Sequence, residues 1–299
     1  NEAGAIMVVM FHNFARVFAR GKNGGGEYTT TFYRFERLLS ELYDGGYRLA
    51  GVRDYLENDI SVAAGRLPIV FTFDDSTPGQ FHLVEDEGKL VAAEDSAVGI
   101  MEEFQKLHPE FGLKGAFYIS AGLPMFQGAG TESERLQYLV AKGFELGNHT
   151  LHHVRLNEIA DGEKIIAEVG GNQKRVRELV PGYTFLSLSL PFGQAAKHLV
   201  QYVVKGEFEG VPYENLGLFD VGSRPAPSPA TRRFDPLSIP RVRASGAAAV
   251  KTDFAFWMRN LSLGDLYVSD GDAATVTVPK ALAKTVDPAR LLGKRLVTY

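Results

Sequence analysis

The stretch Leu67-Pro68-Ile69-Val70-Phe71-Thr72-Phe73-Asp74-Asp75 decides the fold predicted for this chain. Residues 67–73 are nearly all apolar, which is typical of a strand buried on both faces of a parallel sheet. Two adjacent carboxylates follow at the point where that strand leaves its sheet. Adjacent side chains at a strand end point in different directions, so one of Asp74 and Asp75 can bind a metal while the other handles a proton.

A second apolar stretch, residues 143–146, runs into a histidine cluster, Gly147-Asn148-His149-Thr150-Leu151-His152-His153. His149 and His153 are four residues apart, and on a helical turn that spacing places both rings on one face. Two imidazoles and one carboxylate form a three-ligand site with open positions, as catalytic metals have. An Asp-Asp pair is more often a turn or a helix cap, and a single histidine is more often a surface or core residue. Two such segments, both at strand ends, favour the metal site.

Strand-like and helix-like stretches alternate along most of the chain. Strands are predicted at residues 6–11, 47–52, 67–73, 115–119, 144–147, 184–190, 216–221 and 238–242. Helices are predicted at residues 32–44, 97–107, 132–141, 158–179 and 195–204, and the fourth can break at Gly170-Gly171. This alternation predicts parallel βαβ units, in either a doubly wound sheet or a barrel. Every candidate functional residue lies at the C-terminal end of a strand, where the active sites of such folds form.

The chain shows no internal repeat and no clear linker, so one domain is expected over residues 1–299. Irregular loops are predicted at residues 21–26, 80–95 and 224–236, the last of which is rich in proline. Residues 244–299 carry none of the chemical motifs and are assigned to packing, as a C-terminal extension. That extension contains a predicted helix at 253–258, an acidic turn and a strand at 275–278.

The composition excludes several classes of protein. Of 299 residues 45% are hydrophobic, and 32 Lys+Arg against 36 Asp+Glu give a net charge of −4. No basic cluster is longer than Arg232-Arg233, so nucleic acid is not expected as a partner. The absence of cysteine excludes thiolate ligands, disulfides and a cysteine nucleophile, and it suits a bacterial extracytoplasmic protein. No apolar run reaches the ~18 residues of a membrane helix.

Localisation outside the cytoplasm, secreted or associated with the cell envelope, is inferred from these features. A start at Asn1 instead of methionine is consistent with removal of an upstream targeting segment. The oligomeric state does not follow from the sequence.

With these motifs, the chain resembles the polysaccharide deacetylases of the NodB-homology type, carbohydrate esterase family 4, over residues 5–243. Thr72-Phe73-Asp74-Asp75 matches the family's Thr-Phe-Asp-Asp, which implies that Asp74 is the catalytic base and Asp75 a metal ligand. His149-Thr150-Leu151-His152-His153 matches its His-Ser/Thr-x-x-His, which implies that the outer histidines are ligands and leaves His152 as a neighbour or substrate contact. The resemblance implies an α/β fold, a distorted (β/α) barrel of parallel strands with elaborated loops.

Two departures separate the chain from typical members of that family. Ser189-Leu190-Pro191-Phe192-Gly193 has serine where the Arg-x-Pro-Tyr/Phe-Gly motif has an arginine that orients the base. No histidine follows His198, so the usual late Leu-x-His motif is missing. Both departures occur together in the circularly permuted deacetylases of β-1,6-linked poly-N-acetylglucosamine. Resemblance to that branch implies that His12, in Met10-Phe11-His12, is the general acid. It also implies that Arg241, in Ile239-Pro240-Arg241-Val242-Arg243, replaces the missing arginine, with Arg243 as a rival.

The resemblance implies hydrolysis of an N-acetyl group on an amino sugar. A metal on Asp75, His149 and His153 would polarise the acetyl carbonyl and lower the pKa of bound water. Asp74 would take the proton of that water, and His12 would donate one to the departing amine. A backbone N–H within residues 115–121 is expected to stabilise the oxyanion. The predicted substrate-binding residues are Pro191, Phe192, Gly193 and Tyr118, with Phe192 and Tyr118 as walls for a sugar ring. The ligand set suits zinc, with cobalt, nickel or iron as alternatives.

Other functions fit the same residues. The polymer can be an exopolysaccharide, peptidoglycan or a chitin-like chain, and relatives in the superfamily hydrolyse other amides and cyclic imides. A non-catalytic glycan-binding protein that retains a metal is the alternative from a different class, and Ser189 is the residue that supports it.

Overall fold

The computed structural model describes residues 1–18, 26–195, 197–244 and 252–299. Its centre is a curled sheet of eight strands, which all pair in parallel. In chain order β1 to β8 are Met7–Phe11, Tyr47–Ala50, Leu67–Asp74, Ala116–Ile119, Glu145–Asn148, Ser187–Ser189, Gly217–Phe219 and Val242–Arg243. Their order in the sheet is β7-β6-β5-β4-β3-β1-β8, and β2 pairs with the first half of β3. The prediction of a distorted barrel of parallel strands is confirmed.

Residues 239–243 bring the two edges of the sheet together. Val242 pairs with β1, and Ile239 forms a parallel bridge to β7. The segment therefore spans from the last strand in the sheet order to the first and curls the sheet into a barrel. Arg241 lies between these two pairings, and its side chain is fully buried.

The alternation of side chains along β3 decides which residues face the interior of the barrel. Phe71 and Phe73 belong to the outer core, where they pack with Phe35 from the first helix and Phe117 from β4. Thr72 and Asp74 therefore point to the opposite side, because successive side chains in a strand alternate. Both are buried without being apolar, and both contact Arg241 inside the barrel. The alternation of side chains along β3 therefore places the carboxylate of Asp74 inside the barrel.

Seven helices lie in the described part of the chain. They are α1 to α7, at Phe32–Asp44, Val52–Leu56, Ala97–Leu107, Glu132–Ala141, Gly162–Leu179, Val200–Val204 and Phe254–Asn260. The predicted limits of α1, α3 and α4 are confirmed. The N-cap residues of these three helices are Thr31, Ser96 and Thr131, and the side-chain hydroxyl of each accepts a backbone N–H from the first turn. None of the helices described here has the length and hydrophobicity that crossing a membrane requires.

Several predicted limits are wrong for local reasons. The fourth predicted helix begins at Gly162 because Asp161 caps it, and residues 156–158 form a separate 3-10 turn. It does not break at Gly170-Gly171, where the missing side chain makes room for the ring of Tyr213. The predicted helix 195–204 is α-helical only from Val200, and Ala196 lies outside the described residues. Of the strands predicted at 184–190 and 238–242, only residues 187–189 and 242–243 form strands.

Short strands decorate the barrel. They are Asn13–Ala15, Thr29–Thr31, His82–Asp86, Lys89–Ala92, Gln127–Gly128, Lys205–Phe208, Val211–Glu214, Thr275–Val278 and Arg295–Thr298. The predicted loop 80–95 is therefore mostly a β-hairpin, whereas most of the predicted loop 21–26 lies outside the described residues. In the acidic turn, Asp270 accepts hydrogen bonds from Thr275 and Thr277, so its oxygens satisfy hydroxyls of the chain itself.

Candidate active site

Asp75, His149 and His153 meet at the C-terminal mouth of the barrel. Asp75 follows β3, and both histidines follow β5, the second neighbour of β3 in the sheet. Nε2 of His149 and Nε2 of His153 each lie 3.3 Å from Oδ1 of Asp75. Burial alone would raise the pKa of Asp75, but hydrogen bonds from the two imidazoles hold it far below its usual range. The three side chains thus form one tightly coupled group.

The donor atoms of this group fit a small divalent cation. All three ligand atoms lie within 4.8 Å of one another. Two ligands of a tetrahedral zinc site, each about 2.1 Å from the ion, are about 3.4 Å apart, which is close to the two spacings from Asp75. Nδ1 of His149 lies 2.8 Å from the carbonyl oxygen of Ser189, which fixes the tautomer that turns Nε2 towards the site. The residues present therefore can hold a metal ion, with an outer contact that orients one ligand.

The loop that carries the two histidines is not a helical turn, as the spacing had suggested. Residues 149–153 have no helical structure, and Thr150 and His153 have positive φ angles of 61° and 54°. Asp75 and Ser76 also adopt positive φ, so backbone strain is concentrated around the site. Both rings reach Asp75 through this non-helical loop, and the shared helical face that the spacing predicted is not formed.

A buried amide pair supports this strained loop. Oδ1 of Asn148 accepts the N–H of Thr150 at 2.9 Å and an Nδ2–H of Asn172 at 2.8 Å. Asn172 also accepts the N–H of Ala121, so it ties the loop after β5 to the loop after β4. Both asparagines are fully buried. Sequence reasoning missed them, although an amide directly after a strand or within the buried face of a helix was a usable signal.

Asp74 is held by Arg241 inside the barrel. Nη1 and Nη2 of Arg241 donate to the two carboxylate oxygens of Asp74 at 2.8 and 2.7 Å. Both side chains are at most 1% exposed. The hydroxyl of Ser189 donates to Asp74 at 3.0 Å and accepts from Arg241 at 2.8 Å. Burial would raise the pKa of Asp74, but the charge and hydrogen bonds of Arg241 lower it below its usual value.

Of the two arginines that the sequence offered, the structure brings Arg241 to Asp74 and takes Arg243 elsewhere. Arg243 forms an ion pair with Glu27, and its guanidinium lies 4.7 Å from the centre of the Tyr28 ring. The two arginines are only two residues apart, but Arg241 precedes β8 and lies between the pairings of Ile239 with β7 and of Val242 with β1, whereas Arg243 belongs to β8. Ser189, small and fully buried, occupies the space beside the guanidinium.

His12 lies beside Asp74 and lines the same cavity as the histidine pair. Its Nε2 is 3.9 Å from Oδ2 of Asp74, and its ring packs edge-on against Tyr28 with centroids 4.8 Å apart. Burial lowers the pKa of His12 below its usual value, although Asp74 and Asp75 act in the opposite direction. The side chain of Gln80 is fully buried and donates to the backbone carbonyls of His12 and Asp74. It thereby ties the ends of β1 and β3 together.

A cavity of 310 Å³, here called the catalytic cavity, opens above these groups. Phe192 is 46% exposed on its wall and packs against His153, while the guanidinium of Arg155 covers its other side at 3.7 Å. Gly193 has a φ of 78°, and a Cβ there would lie 2.9 Å from Val221, so this turn requires glycine. The lining residues are His12, Asn13, Tyr28, Asp74, Asp75, His149, His153, Leu190, Phe192 and Val221.

Two of the predicted substrate contacts are buried and do not line the catalytic cavity. Tyr118 is fully buried, its hydroxyl bonds Ser187 at 2.9 Å, and it does not line the catalytic cavity. Pro191 is buried as well and shapes the turn that presents Phe192. The predictions missed Tyr28, Asn13 and Val221, which come to the cavity from segments without a motif.

Comparison with known proteins identifies a family. The family model described as polysaccharide deacetylase matches residues 63–211. The chain belongs to the polysaccharide deacetylase family. The matched region contains both the Asp-Asp and the histidine segments, whereas His12 and Arg241 lie outside it. No curated protein sequence matches the chain.

Solved structures of deacetylases share the fold. The Streptococcus pyogenes deacetylase PplD, in complex with acetate, is 15% identical with a TM-score of 0.61, covering 86% of this chain and 98% of that one. BC0361, a polysaccharide deacetylase from Bacillus cereus, is 18% identical with a TM-score of 0.59, covering 83% and 67%. IcaB from Ammonifex degensii is 15% identical with a TM-score of 0.54, covering 81% and 93%. The barrel of this family member therefore recurs in proteins of distant sequence.

Proposed function

We propose that this family member is a metal-dependent hydrolase that removes N-acetyl groups from the amino-sugar units of a polysaccharide. One observation carries the proposal. Asp74, ionised by Arg241, stands beside Asp75, which meets two imidazoles at 3.3 Å, and His12 faces the same cavity. A base, a cation site and a potential acid thus surround one space that a substrate can enter.

A divalent cation on Asp75, His149 and His153 would polarise the acetyl carbonyl and lower the pKa of bound water. Asp74 has the role of general base, since Arg241 keeps its carboxylate ionised and fixes its orientation. Ser189 completes the hydrogen bonding of that carboxylate. In the sequence, Ser189 supported the alternative of a non-catalytic protein. In this proposal Ser189 instead helps to hold the general base.

His12 has the role of general acid towards the departing amine. Burial, which lowers its pKa, makes the protonated ring a stronger acid. Oδ2 of Asp74, 3.9 Å from Nε2 of His12, can pass on to that ring the proton it takes from water. Phe192 offers an exposed ring for packing against the apolar face of a sugar.

The positions of His12 and Arg241 support a finer assignment. Both come from outside the matched region and take the places implied by resemblance to the circularly permuted branch. We therefore propose a β-1,6-linked poly-N-acetylglucosamine as the substrate, zinc as the metal, and a location outside the cytoplasm, where such a polymer occurs. The fold shared with IcaB is compatible with this branch.

The direct test is acetate release from a panel of acetylated substrates by the purified, zinc-loaded protein. The panel contains β-1,6-linked and β-1,4-linked N-acetylglucosamine oligomers and peptidoglycan fragments. We expect the β-1,6-linked oligomer to be the best substrate and a chelator to abolish release. Asp74→Asn should lower kcat by about 10²- to 10⁴-fold while zinc stays bound. Asp75→Asn should lose zinc, and exposed Asp86→Asn is the matched control.

The same experiment separates the alternatives. Acetate release that a chelator leaves unchanged would refute metal dependence. Release from the β-1,4-linked oligomer alone would refute the substrate but leave the chemistry intact. A zinc-loaded protein that binds the oligomers and releases no acetate from any of them would be a glycan-binding protein.

A further inference from the structure

Two side chains of the loop that follows β3 hold the backbone of His12. The carbonyl oxygen of His12 accepts the hydroxyl of Thr77 at 2.9 Å and an Nε2–H of Gln80 at 2.6 Å. The same amide nitrogen of Gln80 also donates to the carbonyl oxygen of Asp74. The register pairs of β1 with β3 end one residue before His12 and Asp74. Gln80 therefore continues the link between the two strands beyond the last of these pairs.

The two acceptors decide the orientation of the Gln80 amide. A carbonyl oxygen only accepts hydrogen bonds, and the nitrogen of a glutamine amide carries two N–H donors, so this nitrogen must face both carbonyls. Oε1 of Gln80 is then left buried, with no hydrogen-bond partner among the described residues. A buried acceptor without a partner costs free energy. Because the carbonyl of His12 already accepts the hydroxyl of Thr77, stability alone gives little reason for an amide here.

The position of the His12 ring depends on its backbone, because no side-chain hydrogen bond holds the ring within the part of the chain that the structure describes. Nδ1 is buried without a partner, and Nε2 lies 3.9 Å from Oδ2 of Asp74. The ring packs edge-on against Tyr28, which restrains its plane without a directional bond. The place of Nε2 in the catalytic cavity is thus set largely by where the backbone of His12 is held.

The carboxylate of Asp74 has its own supports. It accepts hydrogen bonds from both Nη atoms of Arg241, at 2.8 and 2.7 Å, and from the hydroxyl of Ser189 at 3.0 Å. These three bonds fix the base through its side chain, from the interior of the barrel. Loss of the Gln80 amide should therefore displace His12 much more than the carboxylate of Asp74.

We infer that Gln80 is a positioning residue, which holds His12 where it can protonate the departing amine, and that Thr77 assists it. This inference rests on the proposed function. When the C–N bond breaks, the nitrogen takes a proton from Nε2 of His12 and leaves as a neutral amine. A general acid must lie within hydrogen-bond reach of the leaving group, and a displacement of about 1 Å can lower a rate about 10²-fold.

Two substrates separate this role from a purely structural one. The first is the N-acetylated oligomer of the panel that releases acetate fastest, whose amine needs a proton to leave. The second is para-nitrophenyl acetate, whose phenolate leaves without a proton, so that its hydrolysis needs the base and the metal but not the acid. Only the hydrolysis that a chelator abolishes is counted. The zinc-loaded protein is used throughout.

Gln80→Met keeps most of the side-chain volume and removes the donors. Its matched control is Gln173→Met, because Gln173 is also fully buried and its amide bonds the main chain of Tyr183 and Phe185. Thermal unfolding of both variants shows whether their losses of stability are similar. Gln80→Met is also combined with His12→Ala, because a residue that acts through His12 should have little effect once that ring is gone.

Thr77→Val is the second variant, and it carries the test if Gln80→Met does not fold. It removes one hydroxyl that donates to the carbonyl of His12. Thr285→Val is its control, since the half-buried hydroxyl of Thr285 donates to the main chain of Leu282 in the C-terminal extension.

We expect Gln80→Met to lower kcat for the oligomer by about 10- to 100-fold with KM changed by less than about 2-fold, and to lower ester hydrolysis by less than about 3-fold. Thr77→Val should lower kcat for the oligomer by about 3- to 10-fold, the effect of one hydrogen bond. In the His12→Ala protein, Gln80→Met should change kcat by no more than about 2-fold. Equal losses for both substrates, the same loss in Gln173→Met, or an undiminished effect in the His12→Ala protein would overturn the inference.

A crystal structure of Gln80→Met, or of Thr77→Val in its place, gives a measurement that does not depend on catalysis. The inference requires Nε2 of His12 to move relative to Oδ2 of Asp74, while the carboxylate stays on Arg241. An unchanged distance between Nε2 and Oδ2 would overturn it. If no oligomer releases acetate from the wild type, the proposed function fails, and the crystal structure alone decides whether Gln80 positions His12.

Discussion

Truncating Arg241 to methionine tests the central interaction of the candidate site. Arg241 is fully buried and donates to five acceptors: both oxygens of Asp74, the hydroxyls of Thr72 and Ser189, and the carbonyl of Asp220. Methionine fills much of the same volume without the charge. The variant leaves the carboxylate of Asp74 buried with one remaining side-chain donor, Ser189.

The size of the effect follows from the burial of both partners. Removing one partner of a buried ion pair costs about 3–5 kcal/mol, because the other charge stays in a medium that cannot solvate it. A domain is stable by only about 5–15 kcal/mol, so the variant loses a large share of its unfolding free energy. Replacing both partners removes the stranded charge. The double variant Arg241→Met/Asp74→Asn should therefore recover most of the loss without recovering activity.

Urea unfolding followed by circular dichroism measures these free energies. A chelator is present throughout, because a metal bound to the folded protein alone would add its own stabilisation. Arg37→Met is the matched control, since Arg37 lies on the surface in a pair with Glu41 and should change stability little. A loss below about 1 kcal/mol for Arg241→Met would refute the reasoning, which requires a penalty of several kcal/mol. A double variant no more stable than the single one would show that the stranded charge is not the cause.

Three further changes test neighbouring contacts. Ser189→Ala removes the hydroxyl between Arg241 and Asp74, so kcat should fall about 3- to 10-fold. The variant keeps the carbonyl that orients His149, so the zinc content measured by mass spectrometry should not change, and a loss of zinc would contradict this. Tyr118→Phe should destabilise the protein by about 1 kcal/mol and leave KM for oligomers unchanged, whereas a raised KM would restore Tyr118 to the substrate site. Gly222→Ala places a Cβ 1.7 Å from the carbonyl oxygen of Arg241, so the free energy of unfolding should fall by about 1–3 kcal/mol or more in thermal unfolding. Gly264→Ala is the control, because the atom nearest to its added Cβ is 3.6 Å away. Equal melting temperatures for the two variants would contradict the close approach at Gly222.

Local sequence signals were sufficient for the elements that depend on local rules. The limits of α1, α3 and α4 follow from hydroxyl caps and apolar periodicity, both of which are read within a few residues. The limits of β6 and β8 did not follow, because a strand ends where its neighbour stops pairing. The histidine loop shows the same difference. Its residues were recognised, but positive φ at Thr150 and His153, not a helical turn, brings the rings together.

The chain by itself determined which groups are available: two carboxylates after a buried strand, a histidine cluster, and polar residues at positions 12 and 241 that resemblance to a family singled out. Only the tertiary structure decided which of them meet. Arg241 reaches Asp74 inside the barrel that residues 239–243 close, whereas Arg243 pairs with Glu27. Tyr118 is buried and does not line the catalytic cavity, whereas Tyr28 lines it although it belongs to no motif. The sequence gives the identity of each side chain. The distance between side chains on strands more than a hundred residues apart depends on how the whole sheet closes.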